Sequence, residues 1–252
     1  MSESEPLLCE TFNDRVEVTF NRPAKRNSLS TPLLERFHQV LDEVGEDEDI
    51  RTIIIRGQGG VFCTGMDLEE FQSGEQMSPE ENPYMALLKR FASMDRIVIS
   101  VVEGTVMAGG VGIVAASDLV YADSKATFSL SEALWGLLPA MVTPFLIRRV
   151  GFQSAYRLTL TTATIGAQEA KQIHLVDEVG DDIGSRLQGA LRRLGRVHPD
   201  TIKELKSYFR EMWIIDERME EYAVAELARL SKEPRIIENI TNFVNRGVVP
   251  WE

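Results

Sequence analysis

The run Val106-Met-Ala-Gly-Gly-Val-Gly112 places a glycine pair at the start of an apolar helical stretch. Phe128-Ser-Leu-Ser-Glu-Ala-Leu-Trp-Gly136 follows, and its one carboxylate, Glu132, comes 23 residues after Gly109, just beyond an expected strand. Backbone N–H groups at a helix start can hold a developing oxyanion. A carboxylate beside them can take up a proton and return it. These are the minimum parts for enolate chemistry on a thioester.

The elements that must position them can be read from periodicity. Leu7 to Phe12 and Arg15 to Phe20 read as two strands joined by an Asn13-Asp14 turn. Ser30 is the expected N-cap of a helix from Thr31 to about Val44, with Pro32 near its start and Leu33, Leu34, Phe37, Val40, Leu41 and Val44 as its apolar stripe. Thr52 to Arg56 and Ile97 to Val102 read as buried strands, and Leu119 to Tyr121 as another. Val61 to Asp67 returns through a short strand to a tight turn, and Tyr84 to Met94 reads as a helix. Gln72 to Pro83 reads as a polar, mobile loop. From Pro144 onward the chain reads as mainly helical, with amphipathic stretches near 184–196, 200–212, 216–230 and 235–245. Strand–helix alternation followed by helices predicts an α/β core, 1–195, and a helical C-terminal region, 196–252.

Composition narrows the function. The 252 residues are 44% hydrophobic, enough for a large core. No apolar run reaches the ~18 residues of a membrane span, and the acidic, polar start Met1-Ser-Glu-Ser-Glu-Pro6 does not resemble a signal peptide, so a cytoplasmic location is expected. A net charge of −12 argues against nucleic acid as a partner. Cys9 and Cys63 are expected to be buried and unpaired. His38, His174 and His198 have no metal spacing, so no metal is expected. No Gly-x-Ser-x-Gly elbow is present. A dinucleotide fingerprint is the nearest rival, because Gly110-Val-Gly-Ile-Val-Ala115 fits Gly-x-Gly-x-x-Ala after a strand. Against it, Glu132 lies beyond the ribose-binding place and no second nucleotide half follows.

Three segments carry a family resemblance: Asn21-Arg-Pro-Ala-Lys-Arg-Asn-Ser-Leu29, Gly60-Val-Phe-Cys-Thr-Gly-Met-Asp-Leu68, and Val102 to Pro139. Over nearly its full length the chain resembles the enoyl-CoA hydratase/isomerase (crotonase) family. The resemblance implies a spiral of ββα units, capped by C-terminal helices that take part in trimerisation, in a trimer or hexamer. It implies an oxyanion hole formed by the N–H groups of Met66 and Gly109, and an acid/base at Glu132. The second glutamate of family hydratases would fall at Gly112, which has no side chain. Asp67, next to the first donor, is read mainly as a structural or helix-start carboxylate bordering the substrate.

A finer likeness selects among single-carboxylate reactions. Phe128 to Ala140, Thr143 to Arg149 and the ending Val249-Pro-Trp-Glu252 resemble the dehydratase subgroup of polyketide β-branching cassettes. That resemblance implies 3-hydroxy-3-methylglutaryl-acyl carrier protein as substrate and 3-methylglutaconyl-acyl carrier protein as product. It implies a decarboxylase of the same fold and a 3-hydroxy-3-methylglutaryl synthase-like enzyme as pathway partners, and no cofactor beyond the phosphopantetheine or CoA carrying the acyl group. Tyr84, Lys89 and Arg90 are expected near the acyl pocket, and Lys25 and Arg26 near the phosphopantetheine or nucleotide phosphates. Arg148, Arg149, Arg192, Arg193 and Arg196 are candidates for carrier docking. Apolar neighbours Leu134, Trp135 and Leu137 are expected to raise the pKa of Glu132. The alternatives are a Δ3,Δ2-enoyl-CoA isomerase and a catalytically silent scaffold.

Overall fold

A computed structural model describes residues 5–73, 82–213 and 216–251. The loop expected over Gln72 to Pro83 falls mostly outside them.

Strands β1 (Leu7–Thr11) and β2 (Arg15–Phe20) form an antiparallel hairpin, as the turn signal predicts. A 16-residue helix, α1 (Thr31–Glu46), follows and buries the whole expected stripe. Burying each such side chain is worth about 1.5–3 kcal/mol. Ser30 does sit at its N-cap, but without a side-chain hydrogen bond. Glu70 meets that end instead, accepting from the Thr31 N–H and hydroxyl.

The spiral then begins. β3 (Thr52–Gly57) joins a first sheet, β4 (Val61–Cys63) joins a second, and helices α2 (Leu68–Ser73) and α3 (Pro83–Ser93) follow. The next turn repeats the order with β5 (Ile97–Val102), β6 (Thr105–Met107) and α4 (Gly109–Ala116). A third runs through β7 (Leu119–Ala122), β8 (Thr127–Ser129) and α5 (Glu132–Trp135). The first sheet has the order β1-β2-β3-β5-β7-β10, and the second β4-β6-β8-β9, with β3, β5 and β7 parallel to one another and β4, β6 and β8 likewise. Each ββα unit therefore lays one strand on each sheet before its helix. The fold is α/β, the spiral of ββα units that the resemblance implies. Sequence reading misses β6 because its three residues run straight into the glycine motif.

The C-terminal half contains α6 (Thr143–Thr161), kinked at Gly151, then β9 (Ile165–Gly166), α7 (Ala167–Gln172) and β10 (Glu178–Val179). The two short strands interrupt a region expected to be helical. Helices α8 (Ile183–Leu194), α9 (Pro199–Glu211), α10 (Glu217–Leu230) and α11 (Pro234–Arg246) match the expected stretches to within about two residues. The region after residue 195 packs tightly on the core. The Lys206 ammonium is buried, donates to the Phe91 and Arg96 carbonyls and pairs with Asp118 at 2.6 Å. Burial lowers the pKa of Lys206, and Asp118 opposes that shift. Of the two cysteines, Cys63 is buried, but Cys9 is exposed, contrary to expectation, because it lies on the edge strand.

Candidate active site

Several turns and the C-terminal helices converge on a cavity of about 730 Å³ whose lining includes Lys25, Met66, Tyr84, Gly109 and Glu132. Two of the turns build the backbone donors. The chain passes from β4 through Gly65, where Leu29 takes the Gly65 carbonyl and returns its own carbonyl to the Asp67 N–H. This ladder pairs Leu29 with Met66 and turns the Met66 N–H away from it, as strand alternation requires. From β6 the chain turns through Ala108 at φ 49°, ψ −123°, into α4. Such a conformation costs a non-glycine residue about 1–3 kcal/mol. It is held by the Ala108 N–H donating to the Ser129 carbonyl and the Val111 N–H donating to Ala108. Gly109 is the first helical residue, so its N–H has no partner in the preceding turn.

The two turns touch. Gly65 sits at φ +83°, and a Cβ there would lie 2.7 Å from the Gly109 nitrogen and 2.7 Å from the Ala108 Cβ. Only glycine lets the two N–H groups approach each other. The far end of α4 is also fastened. Arg148 donates to the Ala115 carbonyl, and Arg149 to the Ser117 and Leu175 carbonyls and to Asp177. These are two of the arginines offered above for carrier docking. They are instead enclosed at the C-terminal end of the helix, where cations complement its dipole. Burial, with Arg149 beside it, lowers Arg148 to about 10.

Glu132 opens α5, behind Ser131. The residue is half-buried, but its Oε2 is enclosed without a hydrogen-bond partner. Burial raises its ionisation to about 7, a hydrogen bond from its own backbone opposing the shift. That is where a proton shuttle works best near neutral pH. The apolar surroundings come from Trp135 and buried Leu137, whereas Leu134 is 38% exposed and lies outside the lining. Trp135 packs edge-on against Phe243 and Trp251, each at 5.1 Å, and its carbonyl accepts from Asn239. The C-terminal helices thus brace the short helix that presents Glu132. They also line the cavity through Val224, Leu227 and Phe243.

The remaining expected residues divide. Asp67 borders the cavity, but its oxygens are occupied: Oδ2 accepts from Arg22 at 3.0 Å and Ser28 at 2.9 Å, and Oδ1 from the Glu69 N–H at 3.1 Å. Burial would raise its carboxyl, yet these bonds and the Arg22 charge together hold it below the usual range. Lys25 lines the mouth and pairs with Glu69 at 2.6 Å, and Arg26 beside it is exposed. Tyr84 is inside, 7% exposed, donating to the Gly109 carbonyl at 2.6 Å. Lys89 is not in the cavity lining: it points the other way and pairs with buried Glu220 at 3.3 Å. Helical spacing explains this, since five positions from Tyr84 is about 140° around the axis. Arg90 likewise pairs with Asp42 and His38.

Asn27 organises the turn before α1, a role that periodicity does not reveal. It is fully buried at φ 55°, accepts from the Arg22 N–H and donates to the Gln58 and Val61 carbonyls. Asparagine tolerates this left-handed conformation, which was the available signal. The dinucleotide-like glycines also find another reason: a Cβ on Gly110 would lie 2.5 Å from the Cys63 carbonyl oxygen, so packing demands its absence. Among the described residues no cluster of three metal-ligating side chains occurs, and no helix is long and apolar enough to cross a membrane.

Known proteins resemble this chain in sequence and fold. The family model for enoyl-CoA hydratase/isomerase matches residues 12–252. The chain is 34% identical to the bacillaene synthase dehydratase PksH of Bacillus subtilis, over 93% of this chain and 92% of that protein. It is 38% identical to the enoyl-CoA hydratase EchA19 of Mycobacterium tuberculosis, over 75% of this chain and 73% of that one. The crystal structure of PksH from B. subtilis superposes with a TM-score of 0.89 at 31% identity, covering 96% of this chain and 97% of the other. By these matches, and with Met66, Gly109 and Glu132 lining one cavity of a ββα spiral, the chain belongs to the enoyl-CoA hydratase/isomerase (crotonase) family, as a hydro-lyase.

Proposed function

We propose that the protein dehydrates 3-hydroxy-3-methylglutaryl-acyl carrier protein to 3-methylglutaconyl-acyl carrier protein in polyketide β-branching. One observation carries this reading: Glu132, whose enclosed oxygen has no hydrogen-bond partner, shares the cavity with the Met66 and Gly109 donors, while Asp67 there is tied to Arg22 and Ser28 and position 112 has no side chain. The relationship to a dehydratase of bacillaene synthesis supports it.

These groups would carry the reaction as follows. Ionised Glu132 removes a proton from C2 of the thioester. The negative charge moves to the thioester oxygen, where the Met66 and Gly109 N–H groups receive it. The C3–O bond then breaks as the enolate electrons form the C2–C3 double bond. Glu132 returns its proton to the departing hydroxyl, so one water is lost and the carboxylate is regenerated. A tertiary C3 eases the second step by tolerating positive character. Met66 contributes a backbone group, so the methionine side chain needs only to fit.

The acyl group would arrive on phosphopantetheine, whose phosphate Lys25 and Arg26, both in the cavity lining, would meet, and the enzyme itself would need no further cofactor. In the pathway it would act between a 3-hydroxy-3-methylglutaryl synthase-like enzyme and a decarboxylase, in the cytoplasm. Exposed Phe152, Tyr156, Leu160, Tyr208 and Phe209 suit subunit contacts in a trimer or hexamer.

Incubation with the 3-hydroxy-3-methylglutaryl thioester, followed by mass analysis of the acyl group, tests the reading. Loss of water is expected. No change with this substrate, but an unchanged mass and new conjugation with a 3-enoyl thioester, would establish the isomerase instead. Absence of turnover with any thioester would favour the scaffold.

A further inference from the structure

Tyr84 is launched from a braced turn. Asn82 Oδ1 accepts from the N–H groups of Tyr84 and Met85, both at 3.0 Å, and Pro83 opens the helix. His38 Nε2 lies 2.9 Å from the Pro83 carbonyl. The phenol hydroxyl donates to the Gly109 carbonyl at 2.6 Å. A Cβ on Gly112 would lie 2.0 Å from that hydroxyl oxygen, 3.2 Å from the Tyr84 Cζ and 3.1 Å from Val142 Cγ2. Burial, with Cys63 and Glu132 nearby, pushes the Tyr84 ionisation well above its ordinary value, so the group remains a neutral donor at any physiological pH.

We propose that Tyr84 is a positioning and specificity-determining residue: its hydroxyl fills the space a side chain at position 112 would need and clamps the first turn of α4. Tyr84 and Gly112 then form a matched pair. The clamp acts on the residue whose N–H serves as oxyanion donor, so its loss would shift the donor. The filled space admits neither a second carboxylate nor a water held by one. A site equipped with Glu132 alone can return a proton to a leaving hydroxyl but cannot activate a second, separately held water. This catalytic consequence rests on the dehydration proposed above, whereas the packing of the pair does not.

Four proteins test the pairing: wild type, Tyr84→Phe, Gly112→Ala and the double variant, each measured for Tm, kcat and KM. Gly112→Ala is expected to lower Tm by about 3 °C or more and kcat about tenfold or more, because a small displacement of reacting groups is costly. Tyr84→Phe removes the oxygen at 2.0 Å and leaves Cζ at 3.2 Å, so the double variant should melt above Gly112→Ala. Tyr84→Phe alone should lower kcat severalfold while changing KM less than about twofold, the split expected for a lost transition-state interaction. Additive Tm losses, or a Gly112→Ala protein with wild-type Tm and turnover, would overturn the pairing. Unchanged kcat in Tyr84→Phe would overturn the clamp. A wild type that does not dehydrate the 3-hydroxy-3-methylglutaryl thioester, yet shows the non-additive Tm cycle, would refute the substrate assignment and leave the pair intact.

Discussion

Replacing Glu132 with glutamine separates what the carboxyl does for the reaction from what its burial costs the fold. Enclosure of Oε2 moves the ionisation from an ordinary 4.5 to about 7. That difference corresponds to about 3 kcal/mol of preference for the neutral form in the folded state. Well below pH 4.5 the group is protonated in both states, and enclosure carries no charge penalty. As pH rises through the folded value, the native protein must hold a buried charge that the unfolded chain leaves in water, and stability falls by that amount. Glu132→Gln lacks this slope. Its stability relative to wild type should therefore rise by about 3 kcal/mol between pH 4 and pH 8, or about 6–12 °C in Tm for a chain of this size. Any fixed cost of enclosing the amide is present at both pH values and cancels. Turnover should fall by about 10²–10⁴-fold, the range for a lost general acid/base. Urea denaturation at both pH values, with thioester turnover at pH 7.5, measures both. A stability difference independent of pH would show that Glu132 is not held in the enclosed state described. Full turnover in the glutamine variant would remove it from the mechanism.

Wild-type kcat/KM should rise with pH through about 7, because proton removal from C2 needs the ionised carboxylate of Glu132; a profile flat from pH 5 to 9 would contradict this. Gly65→Ala should cost turnover on the order of 3 kcal/mol in the barrier, the value of one oxyanion donor, since its Cβ would press at 2.7 Å on the Gly109 nitrogen. Lys89→Met should leave KM for the acyl substrate unchanged, because the side chain faces Glu220, but should lower stability in urea by a measurable margin, as Glu220 is only 2% exposed. Lys206→Met should destabilise by about 3–5 kcal/mol, the cost of breaking a buried pair, and equal stability of the two proteins would argue against its anchoring of α9.

Much of the frame was legible in the chain. The hairpin, α1 and its stripe, the buried strands β3 and β5, and four C-terminal helices all follow from local periodicity and turn chemistry. The parts that escaped were short or non-local. β6, β9 and β10 span two or three residues and exist because neighbouring strands supply their hydrogen bonds. Lys89 and the paired arginines 148 and 149 look like surface cations in sequence. Their partners, Glu220, Ala115, Ser117 and Asp177, are distant in the chain and invisible to local reading.

For the site, the sequence by itself determined the chemical inventory: which glycines carry no Cβ, that Glu132 is the matched carboxylate, and that position 112 offers none. These are properties of residue types, and no fold can change them. Only the tertiary structure decided which groups line the cavity and in what state. Gly65 and Gly109 are 44 positions apart, yet their turns touch, and that contact sets the two donors together. Glu132 shifts to about 7 because helices nearly a hundred residues later help enclose the apolar cavity around it. Asp67 keeps an ordinary role because Arg22 and Ser28 reach it first. Desolvation and hydrogen bonding depend on everything that surrounds a group, and what surrounds it is decided by the packing of the whole chain.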